Sequence, residues 1–118
     1  MANHIDIGKQ GEQLAVQYLT EKAFAVMHTN WRYARYEIDI IASHKDVLHF
    51  IEVKTRRSGK FGFPEESVTD KKLRHLINAA EAFLTVYPEW KRVQFDVLAI
   101  TLTGNKATEY FFIEDVYL

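Results

Sequence analysis

Residues 37–57, EIDIIASHKDVLHFIEVKTRR, decide how this chain is read. The stretch spells two apolar strands, Glu37–Ser43 and Val47–Thr55, around a polar turn at His44, Lys45 and Asp46. Set into those strands are four charges, Glu37, Asp39, Glu52 and Lys54, at positions where packing alone favours Val or Ile. Strand interiors are depleted in Asp, Glu and Lys, and a buried charge persists only when it is paired or bound to a metal.

The register of this hairpin carries the argument. With the turn centred between Lys45 and Asp46, Asp39 faces Glu52 and Glu37 faces Lys54. Directly opposed strand residues have Cβ atoms only ~4.5–5.5 Å apart, so Asp39 and Glu52 repel each other unless a proton or a cation lies between them. A hard, oxygen-seeking ion such as Mg²⁺ or Mn²⁺ suits such a pair, with waters and phosphate oxygens completing its shell. Lys54 shares the face of Glu52 by strand alternation, where its ammonium can orient a water or neutralise charge on a phosphate. The same alternation puts Ile41, Leu48 and Phe50 on that face, so it is partly covered. Slipping the register by one residue destroys the arrangement. The alternative reading is a solvated strand face with cross-strand salt bridges, each worth only ~0–1 kcal/mol.

On the N-terminal side, Leu14, Ala15, Tyr18 and Leu19 form a helical stripe within Ile7–Ala23. Gly8 and Gly11 weaken its first turn, and Glu12 lies at the edge of the buried face. Phe24–Thr29 reads as a short strand and Asn30–Tyr36 as a loop or strand entry. On the C-terminal side, a loop at Arg56–Pro64 leads to the strongest helix, Ser67–Val86, with Leu73, Leu76, Ile77, Ala80, Phe83 and Leu84 at three- and four-residue steps. Ser67 or Thr69 is its expected N-cap. Arg92–Thr103 is a long apolar strand, Gly104 and Asn105 a turn, and Ala107–Ile113 a strand returning antiparallel. The order is α β β β α β β, an α/β fold with a mixed central sheet flanked by helices.

At 118 residues, 47% hydrophobic and 26% charged, residues 1–118 read as a single domain with one hydrophobic core. Without cysteine, disulfides and thiolate metal sites are excluded, which fits the cytoplasm. No apolar run reaches the ~18 residues of a membrane span, and the N-terminus lacks the apolar core of a signal peptide. A net charge of −1 gives no global attraction to nucleic acid, so any such contact rests on local clusters. Arg32 and Arg35, then Arg56, Arg57 and Lys60, then Lys71 and Lys72 flank the acidic pair in sequence. Trp31, Tyr33, Phe61 and Phe63 lie among them, able to stack bases or to pack locally, and basic–aromatic rims suit phosphate backbones. Asp96, inside the apolar run QFDVLAI, reads as a structural partner for a buried hydrogen bond or for a basic residue. The five histidines show no metal-ligand spacing and read as surface or core residues.

Asp39 followed by Glu52-Val53-Lys54 resembles the PD-(D/E)XK signature of restriction-endonuclease-like nucleases. The wider ordered set resembles the small, uncharacterised YraN-like family: GxxGE at Gly8–Glu12, NWR at Asn30–Arg32, EIDIIA at Glu37–Ala42, FIEVKTR at Phe50–Arg56, FGFPEESV at Phe61–Val68, Lys71 and Lys72, and QFDVLAI at Gln94–Ile100. That family is similar in fold to archaeal Holliday-junction resolvases. The resemblance implies a restriction-endonuclease-like αβββαβ core, and Mg²⁺ (or Mn²⁺) held by Asp39, Glu52 and the Val53 carbonyl. It also implies Lys54 as the catalytic lysine and Glu12 as the helix carboxylate nearing the metal. Two positions depart from the pattern: Ile38 stands where a proline precedes the aspartate, and Tyr36 where the family usually has glycine. The expected activity is hydrolysis of phosphodiester bonds in DNA, ahead of RNA, or in a branched nucleic acid, with room for a homodimer. The rival expectation is a nucleic-acid-binding module of the same fold with weak or no catalysis, within a repair or recombination assembly.

Overall fold

The structure, a computed structural model, describes residues 4–57 and 70–116. Helix α1 (His4–Glu21) is followed by β1 (Ala25–Tyr33), β2 (Tyr36–His44) and β3 (Val47–Arg57), then α2 (Asp70–Val86), β4 (Val93–Thr103) and β5 (Lys106–Ile113). The five strands lie in one sheet in chain order. Only the β3–β4 pair is parallel, the crossover being made through α2, so the sheet is mixed as expected. The expected helix cap at Ser67 or Thr69 falls outside the described residues.

The Lys45-Asp46 turn sets the register. Both residues have positive φ, 50° and 66°, the backbone of a two-residue type I′ hairpin. It brings His44 opposite Val47 and, four rungs on, Ile40 opposite Ile51. This is the register expected from the sequence, but it ends there. Beyond Ile40, β2 stays paired with β1 through Trp31–Ile38 and Arg32–Glu37, while β3 stays paired with β4 through Lys54–Ala99 to Arg57–Leu102. The sheet therefore forks just where Asp39 and Glu52 stand, and Glu37 does not face Lys54 across a ladder.

Alternation in β2 slips at the same place. Ile40 and Ala42 pack with Ala15 and Leu19 of α1, together with Ile51, Leu98 and Ile100. Ile41 packs on the other face with Phe50, Leu76 and Phe83, but Ile38 joins Ile41 there, although strict alternation separates them. Residues 39 and 40 take up the slip. Across in β1, Asn30 has a φ of 53°, a left-handed conformation that asparagine tolerates better than most side chains. The expectation that Asp39 simply shares the face of Ile41 and Phe50 is thus corrected.

The sequence left Asn30–Tyr36 as a loop or a strand entry, and it is strand: β1 runs to Tyr33 and turns at Ala34-Arg35 straight into β2. Cross-strand pairing of Trp31 with Ile38 and Tyr33 with Tyr36 outweighs the polar composition of the segment. β3 and β4 form the centre of the sheet, and Leu48, Phe50, Ile51, Leu98 and Ile100 are fully buried between the two helices.

Candidate active site

The charged residues of the hairpin converge on the fork. Asp39 places Oδ2 2.8 Å from the backbone nitrogen of Val53 and accepts its hydrogen, taking the part of a ladder acceptor after the strands separate. Val53 therefore meets Asp39 through its N–H. Two residues along the chain, Glu52 Oε1 lies 3.3 Å from Lys54 Nζ. Both side chains are about a quarter exposed, at 24% and 27%. Lys54 also lies against Lys72 from the first turn of α2.

Glu12 is brought to the same place by a glycine. A Cβ on Gly11 would overlap Thr55 Oγ1 and lie 2.8 Å from Thr55 Cβ. Only glycine lets α1 descend onto β3 at this point, and the next residue in the helix is Glu12. Asn30 Nδ2 donates to Glu12 Oε2 at 3.0 Å. The left-handed backbone of Asn30 thus marks both the slip in the sheet and the anchor of the helix carboxylate.

Asp39 feels all of these groups. Burial raises its pKa from 3.8 to about 6, the Val53 amide pulling the other way; Glu52, Glu12 and Glu37 each add repulsion. Burial works against the charge on Lys54. Even so, its contact with the Lys72 amine and the attraction of Glu52 and Asp39 hold it above the usual lysine range. Lys72 is pushed down by that contact and by burial. The site is thus an acidic cluster answered by two contacting amines, where like charges oppose the ionisation of Asp39.

Two cavities meet at Asp39. One, of about 210 Å³, lies towards α2 and is lined by Glu52, Lys72 and the segment from Arg35 to Glu37. The other, of about 290 Å³, lies towards α1 and is lined by Glu12, Val53, Lys54 and Thr55. The fork lets one carboxylate border both faces of the sheet. Among the described residues, no three His, Asp or Glu side chains already converge as a metal cage.

The basic residues divide. Arg35 and Lys72 border the first cavity. Arg32, 73% exposed, holds Glu37 at 2.9 Å, so the partner of Glu37 is this arginine rather than Lys54. Arg56 and Arg57 end β3, and Lys71 is exposed at the start of α2. Lys60, Phe61 and Phe63 lie outside the described residues. Trp31 packs edge-on against Phe83 at 5.4 Å, a core contact, while Tyr33 is exposed. Asp96, opposite Ile51 in the β3–β4 pair, lines neither cavity. Fully buried, it bonds His49 Nδ1 at 2.6 Å and accepts from Gln94 Nε2 at 2.9 Å and the Asp115 amide at 2.8 Å.

Sequence reading missed Asn30 and His75. His75 lines the first cavity together with Lys72 and Leu76, and the three-then-four spacing from Lys72 was the available signal that they share a helix face. Asn30 carried a weaker one, an Asn inside a β-branched and aromatic run. Among the described residues, no helix is long and apolar enough to cross a membrane.

The family model described as uncharacterised protein family UPF0102 matches residues 11–100. A UPF0102 protein of Phocaeicola vulgatus is 43% identical over 106 residues, covering 90% of this chain and 86% of its own length. One from Chlorobium phaeobacteroides is 48% identical over 96 residues, covering 80% and 76%. One from Rhodococcus opacus is 38% identical over 118 residues, covering 99% and 100%.

Proposed function

The chain belongs to uncharacterised protein family UPF0102, the YraN-like family that its motifs resemble, and from its geometry we propose a metal-dependent nuclease of the restriction-endonuclease-like kind, hydrolysing phosphodiester bonds in DNA or branched nucleic acid. One observation carries the reading. At the end of the β2–β3 ladder, Asp39 is fixed by the Val53 amide and crowded by Glu52, Glu12 and Glu37. A fold has no packing reason to gather carboxylates in a sheet interior, and their mutual repulsion costs stability unless a cation answers it.

The donor set fits a hard divalent ion. Asp39 and Glu52 would hold Mg²⁺ or Mn²⁺, with the Val53 carbonyl and Glu12 as further oxygen donors. When bound, the ion neutralises phosphate charge and lowers the pKa of an attacking water. Lys54, kept protonated by Glu52 and Asp39, orients that water or meets the charge developing on the phosphate. Asn30 holds Glu12 in position. Arg35 and Lys72 supply phosphate contacts beside the carboxylates, with Arg32, Arg56, Arg57, Lys60 and Lys71 extending the basic surface. A homodimer would suit a four-way junction, which needs two cuts.

The test is a panel of linear, flap and four-way DNA substrates with Mg²⁺ and Mn²⁺, with calorimetric titration of each metal into the protein alone. Asp39→Asn and Glu52→Gln are expected to fold, to lose metal binding and to lose cleavage. Cleavage at wild-type rates by both variants would refute the reading. A nucleic-acid-binding module with weak or no hydrolysis is the second reading, favoured by the Lys54 contact that already partly neutralises Glu52. Salt-sensitive binding without cleavage of any substrate would select it.

A further inference from the structure

We propose that Arg35, Tyr36 and His75 form a pocket for one unstacked nucleobase beside the acidic cluster, so that the site takes an unpaired strand in preference to a paired one. This rests on the nuclease reading above and names the substrate class of that site.

The lining of the cavity between β2 and α2 is of two unlike kinds. Asp39, Glu52 and Lys72 supply a charged part, and Tyr36 and His75, with the core residue Leu76, an aromatic and apolar part. The Tyr36 and His75 rings meet edge to face with centroids 5.2 Å apart, and the Arg35 guanidinium carbon lies 5.6 Å over the Tyr36 ring. Both rings are half-buried, whereas Leu76 behind them is 6% exposed and belongs to the core. An imidazole and a guanidinium add little to an apolar core, but rings with a cation over one face are the surface on which bases stack.

Size decides the occupant. At about 210 Å³ the cavity is smaller than the ~300–1,000 Å³ that encloses a drug-sized ligand, and it has room for a single heterocycle. A phosphate drawn to the acidic wall through a cation, and to Lys72 at the rim, leaves the base of the same nucleotide to reach the aromatic wall. In a duplex that base is already stacked on both sides, and unstacking it carries a penalty that an unpaired or mismatched base escapes. Tyr36 supplies the larger ring of the aromatic wall in this chain.

The test uses oligonucleotides with a single 2-aminopurine, either single-stranded, opposite a mismatch or fully paired. Each is titrated with the full chain at low salt, with and without Ca²⁺ as a divalent ion that supports binding without rapid cleavage, and then assayed for cleavage with Mg²⁺. Binding of the single strand is expected to quench 2-aminopurine fluorescence and to be tighter than binding of the duplex. His75→Ala and Tyr36→Leu are expected to lose the quenching and to shrink the preference by about 5- to 150-fold, the usual range for one base–aromatic stack, while Tyr36→Phe keeps both. His75 is half-exposed, so its variant keeps the assay interpretable if Tyr36→Leu unfolds. Wild-type protein that binds and cleaves paired and unpaired strands alike would overturn the base pocket and leave the nuclease reading standing. So would a His75→Ala variant with unchanged quenching and preference. Wild-type protein that binds no nucleic acid would overturn both.

Discussion

Replacing Asp39 by asparagine is expected to stabilise the metal-free protein while destroying its capacity for metal. In the folded chain the Asp39 pKa stands at about 6 against an ordinary 3.8. Because the folded state holds this proton more tightly than the unfolded chain, the contribution of Asp39 to stability is greatest below pH 3.8. It falls as the pH rises towards 6 and is constant above that. The full displacement corresponds to about 3 kcal/mol, and solvent reaching the half-buried carboxylate reduces this to roughly 1–2 kcal/mol. Asparagine mimics the protonated form and keeps a carbonyl oxygen for the Val53 amide. At pH 8 without divalent ions, Asp39→Asn should therefore melt about 4–10 °C above wild type. The gap should narrow as the pH is lowered from 6 and close near pH 4. Adding Mg²⁺ or Mn²⁺ at pH 8 should raise the wild-type melting temperature by mass action and leave the variant unmoved. Thermal melts followed by circular dichroism across pH 4–8 give both readouts. A variant that melts at or below wild type at pH 8, or a gap that does not shrink towards pH 4, would refute the account of Asp39 as a crowded, desolvated carboxylate.

Gly11→Ala drives a methyl group into Thr55; it should cost about 1–3 kcal/mol in urea unfolding, and Thr55→Ala should recover part of that loss in a double-mutant cycle. Asn30→Val places a β-branched residue at a φ of 53° and frees Glu12; a loss of about 1–3 kcal/mol is expected by the same measurement, with Asn30→Gly losing less because glycine accepts the backbone. Asp96→Ala strands the buried His49 ring nitrogen and the Asp115 amide and should cost about 2–5 kcal/mol, while calorimetric metal titration of the folded variant matches wild type. Lys54→Met should leave the melting temperature within a few degrees of wild type, since a pair that solvent still reaches on both sides contributes only about 1 kcal/mol and burial already works against the Lys54 charge, and should abolish cleavage in the substrate panel.

Much of the fold was legible because its signals are local. Leu14, Ala15, Tyr18 and Leu19 repeat at helical spacing, Gly104-Asn105 turns a hairpin, and the Lys45-Asp46 turn implies the rungs from His44–Val47 to Ile40–Ile51. What failed was extrapolating that ladder past Ile40. Nothing in the residues of β2 and β3 says that each strand will hold its outer partner, β1 or β4, and let go of the other. The choice between loop and strand entry at Asn30–Tyr36 stayed open for a related reason: Trp31 and Tyr33 become strand residues only when Ile38 and Tyr36 arrive opposite them.

Determined by the sequence alone were the residue types of the site and the strand that bears each: Asp39 on one, Glu52 and Lys54 on the next, Glu12 behind a glycine on the first helix. Chain order and spacing suffice for that, because hydrophobic periodicity assigns elements and a tight turn assigns register. The tertiary structure alone decided that these strands part at Asp39, that its carboxylate accepts from the Val53 amide, and that one acid borders cavities on both faces of the sheet. It also brought Lys72 and His75 of the second helix against Tyr36. These are contacts between residues tens of positions apart, set by how two helices pack on opposite faces of a twisting sheet, and no local pattern encodes a distance of that kind.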